Sequence, residues 1–121
     1  MPDFTLLRDS EPDTRSFTVR FTGAGPANPT KSLGRGVTVT WISTGLYELT
    51  WAEPPGVYKT YEPSWQATTP SDLAGYTVVA GDFNATTRKL RLSVTNAANA
   101  LADLTATQKL NLRVHFGGTS A

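Results

Sequence analysis

The chain has 121 residues, a length that suits one domain and buries a core without covalent staples. It contains no cysteine, which excludes disulfide frameworks, zinc–thiolate sites and cysteine nucleophiles. Eleven basic and ten acidic residues leave a net charge of +1, too small a field to draw the chain to nucleic acid or a membrane surface.

Residues 1–14 are expected to form an N-terminal arm or a first strand. Within them FTLLR at 4–8 suits a short strand and DSEPD at 9–13 a polar turn. The first ten residues lack a basic start followed by an apolar run, so no secretory signal is expected. Residues 15–22 alternate cleanly, with Phe17, Val19 and Phe21 on one face and Ser16, Thr18 and Arg20 on the other, as a half-buried strand does. Residues 23–35 carry three Gly and two Pro without periodicity and read as a long loop, a length that tends to be functional.

The strongest pattern is at residues 36–51. Val37, Val39 and Trp41 share a face, and after Ser43-Thr44-Gly45 the alternation resumes with Tyr47, Leu49 and Trp51. This predicts a hairpin with a three-residue loop, Gly45 taking the positive φ. Residues 52–56 (AEPPG) end it. Residues 57–63 read as loop or edge segment, 64–69 as a strand, 70–75 as a turn, and 76–84 as a strand with a bulge at Gly81. Residues 88–96 place Leu90, Leu92 and Val94 inward and close a second hairpin. Residues 97–108 hold the only candidate helix, of one or two turns, with an irregular crossover as the alternative. Residues 109–116 set Leu110, Leu112, Val114 and Phe116 on one face, and 117–121 read as a flexible tail. The sum is a single all-β domain over 1–121: an antiparallel β-sandwich or small jelly roll of seven or eight strands, with at most one short helix near 97–106.

Chemistry is sparse. The only histidine, His115, falls on the polar face of the last strand and reads as a solvated or interface residue, since zinc or a catalytic dyad needs further partners. Most acidic residues lie in turns, and no spacing marks a pair for glycoside hydrolysis or a calcium loop. No serine stands in a nucleophile elbow, and Gly23-Ala24-Gly25 lacks the lysine and helix of a phosphate loop. The sequence therefore predicts no catalytic residues, no cofactor and no metal. Trp65, Tyr58 and Tyr61 sit in an irregular, Pro-flanked stretch and admit three readings: core, sugar-stacking platform, or protein interface, where such rings are enriched. Lys89, Arg91, Lys109, Arg113 and His115 would form a basic patch for an acidic protein partner if their strands share a sheet face.

The block Gly36-Val37-Thr38-Val39-Thr40 followed by Ser43-Thr44-Gly45-Leu46-Tyr47-Glu48-Leu49-Thr50 resembles small structural proteins of tailed bacteriophages, of the capsid decoration and fibre-like kinds. Thr77-Val78-Val79, Leu90 to Val94, and the Ala/Asp-rich crossover leading to Leu110–Val114 extend the likeness over roughly residues 36–116. The resemblance implies a non-enzymatic capsid cement protein, made in the host cytoplasm and carried on the virion surface. It would associate as a homodimer or homotrimer and clamp the major capsid protein, without nucleic-acid or membrane partners. The candidate contact residues are Pro26, Asn28, Lys31, Arg35, Tyr58, Tyr61 and Trp65. The alternative is a tail-fibre or carbohydrate- or receptor-binding module, which requires an exposed pair of rings.

Overall fold

The computed structural model describes residues 15–117, so the arm at 1–14 and the tail beyond Gly117 lie outside the described residues. Eight strands form two four-stranded antiparallel sheets. In chain order they are β1 (Arg15–Thr22), β2 (Thr30–Leu33), β3 (Val37–Ser43), β4 (Leu46–Trp51), β5 (Val57–Ala67), β6 (Thr77–Ala80), β7 (Lys89–Thr95) and β8 (Gln108–Gly117). Sheet A runs β2-β1-β8-β5 and sheet B runs β3-β4-β7-β6. The molecule is a β-sandwich.

The alternation read from the sequence sets the core. Val19 and Phe21 of β1 and Leu110, Leu112, Val114 and Phe116 of β8 face Tyr47, Leu49 and Trp51 of β4 and Leu90, Leu92 and Val94 of β7. All twelve are buried, because a sheet with period-two side chains must bury its apolar face against another layer. At one end Trp51 meets Phe17, Phe83 and Phe116 edge to face, with centroids 5.9, 5.7 and 5.2 Å away.

Two expectations are corrected, at 23–35 and in the β3–β4 loop, and two open readings are resolved, at 57–67 and 96–107. Residues 23–35 are not all loop, since β2 pairs with β1 there; all four β2 residues are exposed, so no apolar contrast marked it. Residues 57–67 form one edge strand, so the edge reading of 57–63 holds and runs on into the strand expected at 64–69. The register shifts between Tyr58 and Thr60, and allowing for that extra residue, Tyr58, Tyr61 and Trp65 all pack on the core. The β3–β4 loop is Thr44-Gly45, because Ser43 pairs with Leu46 and the extra residue is a bulge at Ile42; Gly45 has φ 71° as expected. Among the described residues there is no α-helix. Residues 96–107 are an irregular crossover from sheet B to sheet A, and a single 3₁₀ turn occurs at Pro70–Leu73.

Side chains, not helix, hold that crossover. Asn96 Oδ1 accepts the Ala98 and Ala100 amides at 2.9 and 3.2 Å, an arrangement that competes with helix. Asp103 Oδ1 accepts Trp41 Nε1–H at 2.8 Å and Gly45 N–H at 2.9 Å. The Tyr47 hydroxyl accepts the buried Leu104 amide at 2.8 Å. The crossover is thus tied to both strands of the β3–β4 hairpin.

Candidate functional site

The seven candidate contact residues do not converge. Asn28 and Lys31 serve the fold: Asn28 Oδ1 accepts the Trp41 amide at 2.9 Å, and Lys31 Nζ donates to the Val37 and Gly34 carbonyls. Trp41 and Val37 belong to β3, the outer strand of sheet B, so the 23–35 segment covers an edge that would otherwise pair with another chain. Tyr58, Tyr61 and Trp65 are half-buried on the core side of β5, with Tyr58 stacked on Phe83 and Trp65 edge-on to Tyr76. The Tyr61 hydroxyl donates to the Val78 carbonyl at 3.4 Å, reaching across to sheet B. Pro26 is exposed on the loop, and Arg35 is exposed beside a cleft at the end of β4.

The edge strand β5 is blunted in another way. Gly23 N–H donates to Gln108 O at 3.0 Å, one step past the last β1–β8 pair. The alternation of an antiparallel ladder then turns Lys109, Asn111, Arg113 and His115 toward β5. Their partners Gln66, Ser64, Glu62 and Thr60 face back, which leaves Tyr61, Pro63 and Trp65 on the free edge. Proline therefore falls where the missing N–H would have pointed outward.

The proposed basic patch is divided. β7 lies in sheet B and β8 in sheet A, so Lys89 and Arg91 stand on the opposite face of the molecule from Lys109, Arg113 and His115. Lys89 and Arg91 flank Glu48, with N–O distances of 3.5 and 3.1 Å.

On the outer face of sheet A a chain of three side chains appears that no local motif announced. Ser16 Oγ lies 2.8 Å from His115 Nδ1, and His115 Nε2 lies 3.2 Å from Glu62 Oε1. Ser16 and Glu62 come from the strands on either side of β8, and the pairing spans 99 residues of sequence. A serine, an imidazole and a carboxylate in series is the order of a hydrolytic triad. Acyl transfer also needs N–H donors aimed at an oxyanion. β8 is paired on both sides, so the amides around His115 are spent on the ladders. The chain orders an exposed polar face. Among the described residues no group of three or more His, Asp or Glu could hold a metal ion.

The outer face of sheet B differs. It is Thr-rich, its charges (Glu48, Lys89 and Arg91) lie toward the far end, and it carries exposed apolar groups at the end that holds the β3–β4 turn. Val79 is 59% exposed, Leu101 46% and Ile42 38%. The register places Leu46, Ser93 and Val79 in one row across β4, β7 and β6, and the Thr95–Leu101 bridge puts Leu101 in the next. Among the described residues, three of the four exposed large apolar side chains thus lie on one sheet face, Ile42 and Val79 on its two outer strands and Leu101 beside β7, where single scattered ones would need no explanation.

At the other end of β4, Trp51 is only 2% exposed, yet its Nε1–H has no acceptor among the described residues. A buried donor left unpaired costs about 1–3 kcal/mol. Elsewhere in the core the Tyr47 phenol is satisfied, and burial pushes its pKa above the ordinary 10, the Leu104 amide bond working against this and Asp103 adding to it.

Comparison with protein-family models, with curated proteins and with solved structures finds no match.

Proposed function

We propose that this chain is a non-enzymatic virion structural protein of the capsid cement type, attached to a repeating lattice of major capsid protein through the outer face of sheet B. The observation that carries this is the exposure of Val79, Leu101 and Ile42 at the turn end of a Thr-rich sheet face, away from the Glu48, Lys89 and Arg91 charges, as in an interface core depleted of charge. The resemblance of the 36–50 block supports the phage setting. Blunted edges at β3 and β5 favour docking through a face over strand addition. Copies associated as dimers or trimers on a lattice would turn modest single contacts into lasting attachment.

The test is co-sedimentation of the purified chain with expanded capsids, alongside a Val79→Asp variant. Val79 is exposed, so the substitution leaves the core intact. Wild-type binding that Val79→Asp abolishes is the expected result. Failure of the wild type to bind, or absence of the chain from virions by mass spectrometry, overturns the proposal. The carbohydrate-binding reading calls for an exposed pair of rings, whereas every described aromatic side chain is buried or half-buried.

A further inference from the structure

A cleft of about 260 Å³ opens at the far end of β4 from the β3–β4 turn. It is lined by Arg15 and Phe17 of β1, Arg35 and Gly36 ahead of β3, Trp51, and residues 52–55. Arg15 and Arg35 are exposed, come from separate elements, and have no hydrogen-bond or ion-pair partner among the described residues. Phe17, Trp51 and Pro55 supply apolar wall. Glu53 is the one carboxylate on the lining, so two positive charges stand against one negative. A Cβ built at Gly36 meets nothing within 4 Å, which marks open space on that side.

We propose that this cleft binds a small carboxylic acid with a flat apolar body. A guanidinium takes a carboxylate through paired N–H···O bonds, and two guanidinium groups from different elements fix its orientation. The aromatic and proline walls take the apolar part. The volume is below the roughly 300–1,000 Å³ of drug-sized pockets, which favours a ligand of about one amino-acid residue over a nucleotide or an oligosaccharide. Two sources present this chemistry: a free aromatic acid, and the C-terminal residue of a peptide. The inference stands apart from the capsid reading, because it concerns a different end of the molecule and different residues.

The experiment follows the three tryptophan indole N–H resonances of the ¹⁵N-labelled full chain, with the Trp51 signal assigned by Trp51→Phe. The probes are benzoate, N-acetylphenylalanine and, as the uncharged control, benzamide. A saturable shift of the Trp51 resonance with either acid, and none with benzamide, is expected. Arg35→Gln should weaken binding at least about tenfold, and Glu53→Gln should tighten it by removing a competing carboxylate. Both positions are exposed, and the remaining resonances report whether the fold is kept. The acid that saturates at the lower concentration identifies the source. A Trp51 signal unmoved by both acids, an equal response to benzamide, or unchanged affinity in Arg35→Gln overturns the proposal.

Discussion

Asp103 is the residue on which the 96–107 crossover turns, and its removal has a calculable effect. One carboxylate oxygen accepts from Trp41 Nε1 at 2.8 Å and from Gly45 N at 2.9 Å, both in part-buried surroundings. Asp103→Ala deletes both acceptors at once. Hydrogen bonds to a charged group contribute about 1.5–3 kcal/mol each, and water reaching the part-buried Trp41 ring recovers some of that, so a loss of about 3 kcal/mol is expected. For a domain of this size such a loss lowers Tm by about 10–15 °C. Asp103→Asn keeps an oxygen where both donors point and should cost no more than about 1 kcal/mol. Urea unfolding followed by tryptophan fluorescence measures both variants against the wild type. If Asp103→Ala stays within about 0.5 kcal/mol of the wild type, the crossover is not held this way. If Asp103→Asn is as damaging as Asp103→Ala, the negative charge matters and the two-donor account is wrong.

Tyr47→Phe should cost about 1–3 kcal/mol at neutral pH by stranding the buried Leu104 amide. The same variant should flatten the alkaline limb of the stability curve. Burial raises the folded pKa of Tyr47, and also of Tyr58, so above about pH 10 the unfolded chain loses its proton first and stability falls as pH rises toward the folded value. Urea midpoints taken from neutral to strongly alkaline pH check the slope, and a Tyr47→Phe curve parallel to the wild type removes the assignment. Gly36 and Gly45 both have positive φ, 78° and 71°, but only Gly45 is crowded, a Cβ there meeting Ala102 N at 2.7 Å and Val94 O at 2.8 Å. Gly36→Ala should therefore cost about 1–2 kcal/mol from strain alone, and Gly45→Ala about 1–3 kcal/mol more; equal melting temperatures would contradict this. Replacing both Asn28 and Lys31 by Ala uncovers the β3 edge. Light scattering should then show self-association beyond that of the wild type, and a double variant that scatters like the wild type would show the edge needs no cover.

Most of the fold was legible because one face of each long strand is apolar. β1, β4, β7 and β8 show that alternation, and their inward positions are the core. β2 escaped notice because none of Thr30, Lys31, Ser32 and Leu33 is covered, so the strand carries no contrast. β5 was split in reading because the bulge after Tyr58 shifts the count by one and Pro63 mimics a break, although proline is tolerated on an edge. Ala98, Leu101 and Ala102 fall at helical spacing, yet the Asn96 side chain takes the Ala98 and Ala100 amides, the Ala102 amide bonds to the Val94 carbonyl, and the crossover stays irregular. The site was far less legible. The Ser16–His115–Glu62 chain and the cleft between Arg15, Arg35 and Trp51 exist only through pairings between distant strands, and no local pattern encodes them. The apolar surface was hidden for a related reason. Val79 and Leu101 look like core residues in the sequence, and only the register turns them outward.

The position of β8 has a consequence for how the chain acquires its structure. Sheet B is assembled from two hairpins, β3–β4 and β6–β7, whose partners are near in sequence. Sheet A has its central strand at the C-terminal end of the described chain, and β1 and β5 both depend on it. Closing the β1–β8 pair brings residues about a hundred positions apart together, the costliest loop in the molecule. Pulsed hydrogen exchange during refolding should therefore find the β3–β4 amides protected before those of β1 and β5. During synthesis, too, the apolar faces of β1 and β5 stay open until residue 108 and beyond are made. Until then the chain is exposed to self-association, and β8 is the strand whose arrival ends that exposure.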